Sequence, residues 1–104
     1  HNNVARPRHR KLLTHMKLYL ISIAKGVPGF GGYDVYDSAV VVAESAIGAK
    51  KIHPSGNGEK LTGNPEFYSQ SWPNLTIQVD ADYLGPAKRG LKEGEVICSS
   101  FNAG

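Results

Sequence analysis

The chain is poor in cysteine and in long apolar runs. Cys98 is the only cysteine among 104 residues, so the chain cannot close an internal disulfide. No uninterrupted apolar stretch approaches the roughly 18 residues that a membrane-spanning helix needs. These shortages argue against a disulfide scaffold and a membrane protein. A single cysteine fits a reducing compartment, so we expect a cytoplasmic protein.

Acidic residues are missing from the first 15 positions, which contain four of the 12 Lys and Arg residues of the chain. The remaining eight basic residues face nine acidic ones, so the formal net charge of +3 comes from this segment. We predict that residues 1–15 are a basic leader of upstream or cloning-derived sequence, followed by a single domain over residues 16–104. The alternative is a nucleic-acid-binding arm, but the leader lacks the interleaved aromatic residues that would favour it.

The rest of the chain has the composition of a globular protein, with 40% hydrophobic and 20% charged residues overall. Its patterning predicts a small α+β domain with the element order β-β-α-β-β, a mostly antiparallel four-stranded sheet and one short helix packed on one face. The predicted elements are strands over Lys17–Ala24 and Asp34–Ala43, a helix from Ala46 to about His53, and strands over Leu75–Leu84 and Glu95–Phe101.

Local signals support these elements. Apolar and polar residues alternate from Leu75 to Tyr83, which is typical of a strand with one face in water. Ser45 is a good helix N-cap because its hydroxyl can accept a bond from a free backbone N–H. Pro54 ends the predicted helix because proline disfavours helical geometry in the residue before it.

No cofactor or metal site is expected from the motifs. The glycine-rich segment 26–32 follows a strand, as a phosphate-binding loop would, but it leads into another strand instead of a helix N-terminus. Asp80 and Asp82 would share one strand face about 7 Å apart. They are read as solvated residues in preference to ligands of a divalent ion. The sequence shows no zinc-ligand spacing and no nucleophile elbow.

Two aromatic-rich stretches supply the candidate binding residues. Tyrosines beside a glycine-rich loop offer rigid contact area with a polar tip, and large aromatic groups are unusual in the turn-rich segment 55–74. The alternative for the first stretch is a strand entry whose aspartates bond local backbone. The candidate binding residues are Tyr33, Asp34, Tyr36, Asp37, Phe67, Tyr68 and Trp72.

The blocks YDVYDSAVVVAES, KKIHP and SSFNAG resemble small uncharacterised proteins of bacterial mobile DNA, of the integron-cassette or phage type. The resemblance spans most of residues 16–104. It implies a cytoplasmic bacterial protein with an accessory role that self-associates. It carries no catalytic residues to transfer.

We therefore expect a non-enzymatic accessory protein that binds a small ligand or another protein and acts as a homo-oligomer. One alternative is a small hydrolase-like enzyme at a subunit interface, with His53 and a carboxylate such as Asp34, Asp37 or Asp80. The other is nucleic-acid binding through the leader, which we do not favour. Cys98 is predicted to be an inert, buried thiol inside a strand.

Overall fold

The computed structural model describes residues 16–28, 34–56 and 71–103. The observed elements follow the predicted order. They are β1 (Lys17–Ile23), β2 (Val35–Ala43), α1 (Ala46–Lys50), a 3-10 turn (Thr76–Gln78), β3 (Val79–Pro86) and β4 (Val96–Asn102).

The four strands form one antiparallel sheet in the order β3-β1-β2-β4. The register places Ile21 of β1 opposite Ala39 of β2 and Ala81 of β3. Side chains that face each other in a ladder point to the same side of a sheet, so this row belongs to one apolar face. The predicted α+β class with a four-stranded antiparallel sheet and one short helix is confirmed.

The core lies between this face of the sheet and α1. Its buried residues are Tyr19, Ile21, Ala39, Val41, Ala43, Ala49, Trp72 and Val79. Period-two spacing along β1 and β2 brings alternate side chains to this side, and α1 adds Ala49 from above. Fully burying one large apolar side chain stabilises a fold by about 1.5–3 kcal/mol, so a few such residues decide the stability of a domain this small.

The helix begins as predicted but ends early. The Ser45 hydroxyl accepts a hydrogen bond from the Gly48 N–H at 3.1 Å, which confirms the N-cap. The predicted end near His53 is wrong, because α1 stops at Lys50. The Lys51 and Ile52 N–H groups bond to carbonyls three residues back, at 3.2 and 3.1 Å, which tightens the last turn. The chain then leaves the helix.

The predicted strand Leu75–Leu84 also needs correction at its start. Residues Thr76–Gln78 form a 3-10 turn, and the side chain of Ile77 is 83% exposed. Ile23, the last residue of β1, pairs with Val79, so no strand in the described part of the chain faces the residues before Val79. The Gln78 N–H instead bonds locally to the Leu75 carbonyl at 2.9 Å. This strand also ends two residues later than predicted, at Pro86, whereas the ends of the other three strands lie within one residue of the predicted bounds.

Within the described ranges, no helix is both long and apolar enough to cross a membrane.

Candidate functional site

An aromatic cluster lies where β2 begins and β4 ends. Tyr36 of β2 is paired with Phe101 of β4, and their ring centroids are 4.7 Å apart with the planes inclined by 59°. The edge of His53 meets the Tyr36 ring at 5.9 Å and 86°. Tilted and edge-to-face arrangements at these distances are favourable because the positive ring edge meets a negative ring face. The three rings support one another.

His53 is held in this cluster by the chain that follows it. The side chain is 9% exposed, and its Nδ1 accepts a hydrogen bond from the Ser55 N–H at 3.0 Å. A ring nitrogen that accepts a bond carries no proton, so Nδ1 is committed to the backbone. The geometry on this side of the imidazole fits a packed core histidine.

The predicted carboxylates are spread over the sheet. Asp37 accepts bonds from the hydroxyls of Ser38 at 3.0 Å and Ser100 at 3.2 Å. Asp80 lies on β3, two strands away from β2, because β1 separates the two. That spacing corresponds to about 10 Å across a sheet. Among the described residues, no group of three or more His, Cys, Asp or Glu side chains could hold a metal ion.

Asp34 and Trp72 occupy special positions. Asp34 has a φ of 60° and donates its backbone N–H to the Asn102 carbonyl, so it fixes the entry to β2 beside the end of β4. Trp72 is fully buried within the core, and its Nε1–H has no acceptor among the described residues. It therefore supports the fold and offers no exposed contact area. Tyr33, Phe67 and Tyr68 lie outside the described residues, and their predicted binding role stays a prediction.

The position of β4 at the edge of the sheet was not predicted from the sequence. Among the described strands β4 lies at one edge of the sheet, and its side chains from Ile97 to Asn102 are exposed. Ile97 is 47% exposed and Phe101 is 45% exposed. The prediction that Cys98 is buried is wrong, because its thiol is free and exposed. The helix packs mainly over β3 and the two central strands, which leaves β4 uncovered on that side.

The two sheet edges differ in chemistry. The β3 edge carries Asp80 and Asp82 and ends at Pro86, and charges and proline discourage pairing with another strand. The β4 sequence, VICSSFN, contains neither a charge nor a proline. Two register shifts interrupt the pairing of β4 with β2, one at Ile97 near the start of β4 and one at Asp37 of β2, opposite the end of β4. Between them, β4 pairs in regular register from Cys98 to Ser100. Edges of this kind accept further strands.

A second candidate is an open cleft of about 320 Å³ between α1 and the turn before β4, lined by Gly48, Lys51, Ile52, Glu93 and Gly94. Its carboxylate is already engaged, since Glu93 accepts a bond from the Glu44 N–H at 3.3 Å. The Gly94 N–H bonds to the Val42 carbonyl at 2.8 Å, which holds the turn against β2. One lysine and one occupied carboxylate suit weak binding of a small polar ligand better than catalysis.

Comparison of the chain with protein-family models, curated proteins and solved structures gives no match. The resemblance to proteins of bacterial mobile DNA stays a prediction. The fold is that of a small α+β protein in which β4 lies at an edge of the described sheet.

Proposed function

We propose that the protein is a non-enzymatic binding protein that docks another polypeptide by strand addition to β4. The observation that carries this proposal is the contrast between the two edges. The β3 edge carries two aspartates and a proline, whereas β4 carries no charge and no proline. Both strands expose apolar side chains, Tyr83 and Leu84 on β3 and Ile97 and Phe101 on β4, so the contrast lies in charge and proline. A single charged residue would protect such an edge, and β4 contains none.

Strand addition gives β4 both affinity and selectivity. The outer edge of a strand presents a row of backbone N–H and C=O groups that a second extended chain can pair with. Ile97 and Phe101 supply apolar contact area on either side of the small residues Cys98, Ser99 and Ser100. Aromatic groups are enriched at protein interfaces, which supports Phe101 as the anchor of the docked strand.

The aromatic cluster prepares this anchor before binding. Tyr36 packs against Phe101 at 4.7 Å, and His53 backs Tyr36 at 5.9 Å, so the Phe101 ring is held although its outer side is in water. Holding a contact residue in place reduces the entropy that binding must overcome. Tyr36 thus belongs to the proposed site through its contact with Phe101.

We propose an accessory, cytoplasmic role for a protein encoded on bacterial mobile DNA, as the sequence resemblance implies. Docking by strand addition needs neither metal nor cofactor. The alternative of a hydrolase-like enzyme draws less support. Asp37 is held by two serine hydroxyls, Asp80 lies on the far edge, and His53 Nδ1 is bonded to backbone.

Peptide display tests strand addition directly. A library of random seven-residue peptides is selected for binding to the protein, which is immobilised on a surface at low density. We expect enriched peptides with alternating apolar residues. These peptides should bind the Ser99→Lys variant at least about tenfold more weakly, because the substitution places a charge in the middle of the edge strand. The matched control is Asp82→Lys on the opposite edge, which should bind the same peptides as the wild type does.

Equal binding of the enriched peptides to the wild type and to Ser99→Lys would overturn the proposal, as would failure to enrich any peptide. Circular dichroism and thermal unfolding of both variants establish that each is folded before the comparison is made.

A further inference from the structure

We infer that the polypeptide docked on β4 is a second copy of this chain, paired antiparallel to the first about a two-fold axis at Ser99. This inference rests on the strand-addition function proposed above and adds the identity and register of the partner. It follows from the side-chain pattern of β4, from the charge of the two sheet edges and from the closure of the resulting assembly.

The pattern of β4 is self-complementary about Ser99. In antiparallel self-pairing, residues at equal distances before and after the axis lie opposite each other. Ile97 of one copy would face the partner's Phe101, and Cys98 would face the partner's Ser100. Each half-exposed apolar side chain would therefore cover another one, and the small residues would meet at the centre. Aromatic and branched pairs of this type stabilise antiparallel ladders.

Charge favours the same pairing. The strand β4 contains no charged residue, so two copies meet there without like charges opposite each other. Self-pairing of the β3 edge would instead bring Asp80 and Asp82 of two copies together, which is unfavourable. The Ile97 bulge lies toward the start of β4 and outside the central pairs from Cys98 to Ser100. These pairs are free to form a regular ladder.

The assembly also stops by itself at two copies. A two-fold axis perpendicular to the sheet joins the two sheets into one of eight strands and places both α1 helices on the same face. Pairing then uses up both β4 edges and leaves only the β3 edges, which Asp80, Asp82 and Pro86 protect. Pairing of β4 with the partner's β3 would lack this closure and would propagate into open chains.

Disulfide trapping of single-cysteine proteins tests the register. The three proteins carry their cysteine at position 98 (the wild type), at position 99 (Cys98→Ser with Ser99→Cys) and at position 100 (Cys98→Ser with Ser100→Cys). With the axis at Ser99, only the cysteines at position 99 lie directly opposite each other, within the Cα separation of about 4.4–6.8 Å that a disulfide requires. Cysteines at 98 or 100 face serines and lie on diagonals of about 7–8 Å.

Under oxidised glutathione, we expect the protein with its cysteine at position 99 to form covalent dimers at least about tenfold faster than the other two, as judged on non-reducing gels. An Asp82→Cys protein in the Cys98→Ser background is the control, because it gives the rate of disulfide formation by random collision. Light scattering of the wild type should give the mass of a dimer, and Ser99→Lys should give the mass of a monomer.

Faster trapping at position 98 or 100 would overturn the register. A wild type that is monomeric by light scattering, with no position trapped faster than the Asp82→Cys control, would overturn self-pairing altogether. In that case, peptides that still distinguish the wild type from Ser99→Lys would leave the strand-addition function standing, so the two failures can be told apart.

Discussion

Tyr36 and Phe101 face each other across the β2–β4 ladder with their ring centroids 4.7 Å apart. Tilted aromatic pairs contribute about 0.5–1.5 kcal/mol beyond the area they bury. We therefore predict a coupling free energy of this size in a double-mutant cycle of Tyr36→Leu and Phe101→Leu, measured by urea unfolding of the Ser99→Lys background so that assembly does not contribute.

Leucine keeps much of the apolar volume, so the cycle isolates the ring–ring contact. The pair Tyr19 and Tyr83 of the β1–β3 ladder, with centroids 5.8 Å apart and planes inclined by 60°, provides a second cycle. Additive single effects at Tyr36 and Phe101, with no coupling, would show that the rings do not support each other. In that case the contact with Tyr36 does not hold Phe101 in place for docking.

The N-cap of α1 gives a second prediction. The Ser45 hydroxyl accepts the Gly48 N–H at 3.1 Å, and the five-residue helix has few other bonds to hold its first turn. We predict that Ser45→Ala lowers the free energy of unfolding by about 1 kcal/mol, whereas Ser45→Asp keeps most of the stability because a carboxylate also caps. Chemical denaturation measures both. Equal losses in the two variants would show that the cap bond contributes nothing.

Trp72 gives a third prediction, because its Nε1–H has no acceptor in the part of the chain that the structure describes. A buried donor without a partner is costly, so replacing the indole with an apolar ring removes a penalty while it loses some volume. We predict that Trp72→Phe costs less than about 1.5 kcal/mol, whereas Trp72→Ala costs about 3–5 kcal/mol. Urea unfolding followed by circular dichroism compares them. A loss in Trp72→Phe as large as that in Trp72→Ala would mean that the Nε1–H stabilises the protein.

The same tryptophan reports its environment without substitution, since it is the only one in the chain. Its emission in the native protein should be shifted to shorter wavelengths and resist quenching by acrylamide, because the ring is fully buried. Emission typical of a solvated indole would place Trp72 outside the core and would undo both expectations for its variants.

Local interactions explain which features the sequence could predict. The Ser45 cap and the alternation of Val79 and Ala81 with the exposed Asp80 and Asp82 depend on neighbours in the chain, and both are found as expected. Tyr83, which continues this alternation, is 58% exposed. The same alternation extends back to Ile77, but no described strand faces that residue, so it lies in a turn. A strand forms only where a neighbouring strand reaches.

The exposure of Cys98 shows most clearly what could not be predicted from the sequence. A sequence such as VICSSFN reads the same whether its strand is central or at an edge, because the strand order is set by contacts between distant segments. Placing β4 at the edge exposed a thiol that was expected to be buried. It also made the candidate site, since an edge supplies the free backbone groups that a docked strand needs. The tyrosines after the glycine-rich segment led to Tyr36 as a candidate binding residue, but nothing in the sequence pointed to Phe101.

The protected β3 edge leads to the last prediction. If Asp80 and Asp82 keep this edge from pairing, then Asp80→Thr with Asp82→Val creates a second open edge on a protein that already has β4. Each copy can then pair at both ends, and closed dimers should give way to larger assemblies that grow with concentration. Light scattering from low to high micromolar concentration measures this growth.

The matched control, Asp80→Lys with Asp82→Lys, keeps the edge charged and should remain dimeric. Growth should also disappear when Ser99→Lys is added to the apolar variant, because one open edge is then closed again. A double variant that keeps the mass of the wild type would show that the aspartates do not limit assembly.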